Sequence, residues 1–117
     1  ISVSSKAAKE AITLLKNKNN TLPLSEKKKV LITGVSSNSI NYLNGPWTRT
    51  WSGEETKYND ADKLSLYGAI KSHIDSSNVK YLQGTNYDKD INTNQVVKEA
   101  LKIKDLDREA KREMRER

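Results

Sequence analysis

The sequence predicts an α/β fold with parallel strands, the first half of a doubly wound domain. Three observations carry this. Apolar positions switch along the chain between helical spacing and short strand-like runs, the first of them β-branched, in the order helix, strand, helix, strand, helix. The two strand-like runs are separated by a segment long enough for a helical crossover, so they pair parallel and right-handed. Each run ends at a glycine, Gly34 or Gly84, which marks where the chain leaves the sheet.

The elements follow in order. Ser4 to about Lys18 reads as a helix, with Ala7, Ala8, Ala11, Ile12, Leu14 and Leu15 as its apolar stripe and Ser4 or Ser5 as its cap. Asn19 and Asn20 stop it, and Leu22-Pro23-Leu24 is an extended apolar linker. Lys28 to Gly34 reads as a buried strand. A long Ser-, Asn- and Gly-rich loop runs from Val35 to about Asp62. Loops of that length inside a domain carry function or are disordered. Leu64 to Ile74 is a second helix, with Leu66, Tyr67, Ile70 and Ile74 on one side. Val79 to Leu82 is the second strand. Thr93 or Asn94 caps a third helix carrying Val96, Val97, Ala100 and Leu101.

The tail differs in kind. Residues 1–103 read as a partial α/β sandwich domain, and residues 104–117 as a charged helical tail. In the tail only Leu106, Ala110 and Met114 are apolar. Asp107 with Lys111, and Glu113 with Arg117, place an acid one turn before a base. This is a solvated helix and would make a poor buried strand.

Composition sets limits. The chain has 117 residues, enough for one domain or part of one, and the apolar fraction of 34% is lean for a self-sufficient core. Net charge is +6, which permits anionic partners without identifying one. There is no cysteine, so disulfides and thiolate metal sites are excluded and the redox compartment stays open. No apolar run approaches membrane-spanning length and no signal peptide opens the chain, so no membrane partner is expected and localisation is undetermined. The first residue, Ile1, reads as that of a processed, excised or trimmed piece. Asn19-Asn20-Thr21 fits a glycosylation sequon.

The segment richest in chemistry is Leu43 to Gly53, which holds both tryptophans, Trp47 and Trp51, in a polar, glycine-containing loop after the first strand. Ligand loops of doubly wound folds sit at that end of a strand. A flat apolar ring beside amides and hydroxyls suits a sugar, which has C–H faces and hydroxyl edges. The competing reading is that both rings plug the gap between the loop and the domain beneath it.

Five segments in sequence resemble one family. Ala7 to Asn17 followed by Asn20-Thr21-Leu22-Pro23-Leu24 resembles the opening of the second domain of family 3 glycoside hydrolases. Lys29 to Gly34 is similar to that family's next strand. Gly45-Pro46-Trp47 and Trp51-Ser52-Gly53 resemble its two-tryptophan loop. Leu66-Tyr67-Gly68-Ala69-Ile70 and Val79 to Gly84 resemble the helix and strand that follow. The likeness covers roughly residues 5–101, with Pro46 in place of a glycine and Ser52 where glutamine is common.

The resemblance implies a partial flavodoxin-like sandwich that closes over the mouth of a (β/α)8 barrel in the same enzyme. It implies a β-glucosidase-like function, hydrolysis of terminal β-D-glucosyl residues, in proteins often secreted or periplasmic. Trp51 corresponds to the tryptophan that packs against the sugar beside the cleaved bond, and Trp47 to a mainly structural partner. Arg49, between them, would donate hydrogen bonds to hydroxyls or simply face solvent. The barrel supplies the nucleophilic aspartate. The sandwich supplies the acid/base glutamate from a loop after a third strand, which would follow Leu101 and is replaced here by the charged tail. Retaining hydrolysis needs two carboxyl groups flanking one bond. Neither has a counterpart, so this chain is expected to shape a β-glucoside or oligosaccharide site and to be inactive alone.

The alternatives are a chimeric or designed α/β scaffold without sugar function, and a small basic binding module. Glu54, Glu55, Asp60 and Asp62 are close in sequence and read as a solvated loop. His73 is the sole histidine, so a transition-metal site is not expected, and no cofactor is implied. No phosphate-binding glycine loop is present, and Lys27-Lys28-Lys29 reads as a solubilising run at a strand edge. Without aromatic RNA-binding motifs, nucleic acid is not an expected partner. In flavodoxin-like order the third strand lies beside the first. Its loss leaves the first strand with an open edge, which self-associates or is covered by the tail helix.

Overall fold

The computed structural model describes residues 2–116. It is a mixed helix–strand structure built on a two-stranded parallel sheet, consistent with a partial α/β fold. Strand β1 is Val30–Thr33 and β2 is Val79–Leu82. The register sets Val30 against Val79 and Ile32 against Tyr81. Side chains alternate between the faces of a strand, so these four share one face. Helix α3, Leu66–Lys71, covers that face, and Ile74 beyond it joins Ile32 and Val79 as the buried core. Val30, Tyr67, Ile70 and Tyr81 pack around them.

The opposite face carries Leu31, Thr33, Lys80 and Leu82. Helix α4, Thr93–Arg115, runs there. Lys80 pairs with Glu99 of α4 at 3.0 Å, and the Lys80 hydrogen bond holds the Glu99 carboxyl below its ordinary pKa. Gly84 is where β2 turns toward α4. Its φ is +79°, and a Cβ there would press on Thr33 and on Val96 of α4.

Local chemistry explains most boundaries. Ser65 caps α3 by accepting from the Gly68 amide at 3.1 Å. Asp75 accepts from the Ser77 amide at 2.9 Å and opens a turn, Ser76–Asn78, that feeds β2. At α4 the expectation of Thr93 or Asn94 as cap is corrected. Thr93 is the first helical residue, and Asp90 accepts from its amide at 2.9 Å. The hydrogen bond from the Thr93 side chain, with that from its amide, lowers the Asp90 pKa. The flanking Asn92 side chain is used elsewhere, accepting from the Gly84 amide at 2.7 Å.

Three other expectations need correction. Helix α1 is Ser2–Ala11, starting before its expected serine caps and stopping well short of Lys18. Its apolar stripe is not buried: Ile12 is 80% exposed and Leu15 92%. Periodicity reports an apolar face, not a partner for it, and a short helix without packing is marginal. The second helix is shorter than Leu64 to Ile74, so His73 lies past its end. The loop from Val35 is not irregular throughout. It holds a tight turn at Val35–Asn38, helix α2 at Ile40–Leu43 and another turn at Thr56–Tyr58.

Helix α4 continues without a break past residue 103 into the charged stretch. Asp107 clamps that stretch, accepting from Lys28 at 2.5 Å and from Lys111 at 2.6 Å. The Glu113–Arg117 pair reaches beyond the described residues. α4 lies over a face of the sheet, and among the described residues no strand besides β2 pairs with β1.

The Asp107 clamp has a pH signature. The Lys111 hydrogen bond, followed by that of Lys28, lowers the Asp107 pKa from 3.8 to about 2. A carboxylate depressed by folding stabilises the fold above its unfolded pKa, and the contribution disappears as pH falls through the folded value. The clamp therefore holds above about pH 4 and is lost between there and about pH 2. Asp107→Asn should flatten that part of the α4 acid-unfolding curve followed by circular dichroism. An unchanged curve would remove Asp107 from the account.

Candidate functional site

The parallel pairing brings the loops after β1 and β2 to one edge of the sheet. Gly34 donates its amide to the Gln83 carbonyl at 3.0 Å, one step past the paired residues. Tyr81 donates its hydroxyl to the Gly34 carbonyl at 3.2 Å. The two exits are thus tied together, at the end of a parallel sheet where ligands bind.

The tryptophan segment belongs to the loop that leaves this edge after β1. Helix α2 is capped by Ser39, which accepts from the Tyr42 amide, and Asn44 then leaves the helix in an extended conformation. The next turn is folded on itself. The Trp47 amide donates to the Trp51 carbonyl and the Thr48 amide to the Gly45 carbonyl, both at 3.1 Å. The Gly53 amide donates to the Thr50 hydroxyl at 3.1 Å. Trp47 and Arg49 have φ of +64° and +61°, a left-handed conformation that costs on the order of 1–3 kcal/mol at a residue with a side chain.

This backbone puts the two indoles edge to face, with centroids 4.4 Å apart. Trp47 is 73% exposed and Trp51 74%. Neither ring plugs a gap beneath the loop, and Trp47 stands in solvent as fully as Trp51. Arg49 is held rather than free: its Nη2 donates to Asp60 Oδ2 at 2.6 Å. Asn44 donates to Asn59 at 2.9 Å, a second tie to the same following segment. Between the ties lies a cavity of about 300 Å³ lined by Leu43, Asn44, Arg49, Glu55 and Asp60.

The loop carboxylates do not assemble into an acid/base pair. Asp60 is paired to Arg49, Glu55 to Lys57 at 2.7 Å and Asp62 to Lys63 at 3.3 Å. Glu54 is exposed. Among the described residues no cluster of three or more His, Asp or Glu could hold a metal ion. His73 is exposed, and Lys28 is committed to Asp107. Among the described residues no helix is long and apolar enough to cross a membrane.

No protein-family model matches the chain. Over 48 residues it is 56% identical to a lysosomal beta glucosidase of Dictyostelium discoideum. The matched segment is glucosidase-related. It takes in 39% of this chain, which spans about 6% of the length of that glucosidase.

One feature of this edge was not visible in the sequence. Tyr42 of α2 and Tyr87 of the loop after β2 meet edge to face, with centroids 5.4 Å apart. The Ser36 and Tyr87 hydroxyls are 3.2 Å apart. No local pattern joins residues so distant in the chain. Only the parallel register, which overlays the two strand ends, brings them together.

Gly53 is the pivot of the tryptophan turn. Its φ is +75°, and a Cβ there would collide with the Gly45 carbonyl oxygen. Gly53→Ala should cost about 1–3 kcal/mol and weaken the coupled tryptophan signal in near-ultraviolet circular dichroism. Gly45→Ala, with nothing within 4 Å of its Cβ, should stay within about 0.5 kcal/mol of wild type. Equal behaviour of the two variants would contradict the turn geometry.

Proposed function

We propose that this chain is the opening part of the second, flavodoxin-like sandwich domain of a family 3 glycoside hydrolase of β-glucosidase type. Its tryptophan loop contributes to the sugar site, and it has no hydrolytic activity alone. The observation that carries this reading is the 56% identity to a lysosomal beta glucosidase, joined to two exposed indoles at a strand-end loop. Trp51 is the platform for the apolar face of a glucosyl ring, Trp47 braces it edge-on, and Arg49 offers its remaining N–H groups to hydroxyls.

Magnitudes explain why half a site is weak. Covering one indole face removes a few tens of Å² of apolar surface from water, about 1–2 kcal/mol. Millimolar affinity needs about 4 kcal/mol. The rest comes from groups outside this chain, a (β/α)8 barrel in this reading. The barrel would also supply a catalytic carboxylate, since no loop carboxylate here is set in a pair. The right-handed crossover rule adds a further strand. With α3 and α4 on opposite faces, the chain is aimed back across β1, whose outer edge receives that strand in the complete enzyme and self-associates in its absence.

Saturation-transfer NMR with high-millimolar methyl β-glucoside is the direct test. Transfer should reach the sugar C–H protons and fall sharply in Trp51→Ala. No transfer in wild type would reject the sugar-contact role. An aryl β-glucoside should not be turned over, and turnover abolished by Glu54→Gln or Glu55→Gln would overturn the inactive half-site. Light scattering should give a concentration-dependent mass. A monomer at every concentration would count against the open edge.

A further inference from the structure

We propose that Tyr42 and Tyr87 form a second sugar contact beside the tryptophans, so that the ligand met by this edge is an oligosaccharide rather than a single sugar. This rests on the sugar reading of Trp51 and extends it. The two tyrosines come from different loops, one after each strand, and converge where the sheet delivers its ligand-binding edge. They are not packed away: Tyr87 is 71% exposed and Tyr42 48%.

The chemistry suits a carbohydrate. The rings stand at 86° to each other, so the pair offers both an aromatic face and an aromatic edge. The Tyr87 and Ser36 hydroxyls, bonded to each other at 3.2 Å, keep further capacity to donate to or accept from sugar hydroxyls. The site is close to the tryptophans. Tyr42 and Trp47 are separated by five residues, a reach of at most about 18 Å even fully extended. In this proposal one short saccharide spans that distance and meets both aromatic pairs.

A competing role for the pair is to staple the two loops together without touching ligand. Chain-length dependence separates the two. The full chain is titrated with methyl β-glucoside and with cellotriose, following the ring protons of Tyr42, Tyr87 and both tryptophans by NMR. Cellotriose should bind roughly threefold to tenfold tighter than the monosaccharide. It alone should shift the tyrosine ring signals. Tyr87→Ala should erase the gain while leaving methyl β-glucoside binding unchanged, and Tyr87→Phe should keep most of it.

Equal binding of the two ligands with silent tyrosines overturns the second contact and leaves the tryptophan platform standing. Equal weakening of both ligands by Tyr87→Ala, with a lowered melting temperature, assigns the pair to stapling and also overturns it. Silence of every aromatic signal with both ligands rejects the sugar reading itself. The tyrosine shifts are read in wild type, so the test survives a variant that fails to fold.

Discussion

The in-register parallel pairing of β1 with β2 is the constraint on which everything else depends. It puts Val30, Ile32, Val79 and Tyr81 on one face, where α3 and Ile74 close the buried apolar cluster found among the described residues. It puts Lys80 on the other face, where Glu99 fixes α4. It also sets both strand exits side by side, so that the loops after β1 and β2 share one edge. A one-residue slip would turn Ile32 and Val79 toward α4 and Lys80 toward the core. Core, helix placement and site would fail together.

The parts of this fold set by local chemistry were legible in the sequence. The second strand occupies the Val79 to Leu82 that the sequence marks, and α3 falls inside the expected Leu64 to Ile74. The first helix shows the opposite case. Its stripe from Ala7 to Leu15 has helical spacing, yet both faces of a two-stranded sheet are already taken by α3 and α4. With nothing left to pack on, the helix ends at Ala11 and its apolar residues face water. Sequence pattern specifies which face wants burial, and the number of strands decides whether that burial exists.

The candidate site divides in the same way. Both tryptophans were conspicuous because large aromatic residues rarely sit in polar loops. Their edge-to-face contact, the left-handed turn beneath them and the Arg49–Asp60 tie depend on how the loop folds back, which no residue spacing encodes. Arg49 illustrates the limit. In the sequence it reads as a donor to hydroxyls or a surface arginine, and in the structure it is paired with Asp60. The loop is therefore organised before any ligand arrives. Strain at Trp47 and Arg49 is sustained by two backbone hydrogen bonds, a third from the Gly53 amide to the Thr50 hydroxyl, and one ion pair.

That organisation keeps both indoles in solvent. Two indoles held apart from the core, on a turn tied at Gly53 and Asp60, present an exposed apolar surface to solvent. Both rings stand in water, and acrylamide quenching of tryptophan fluorescence tests this most directly. The structure predicts red-shifted emission quenched almost as readily as that of a free tryptophan amide. Blue-shifted emission protected from quencher would mean that the rings are buried, and would contradict the account.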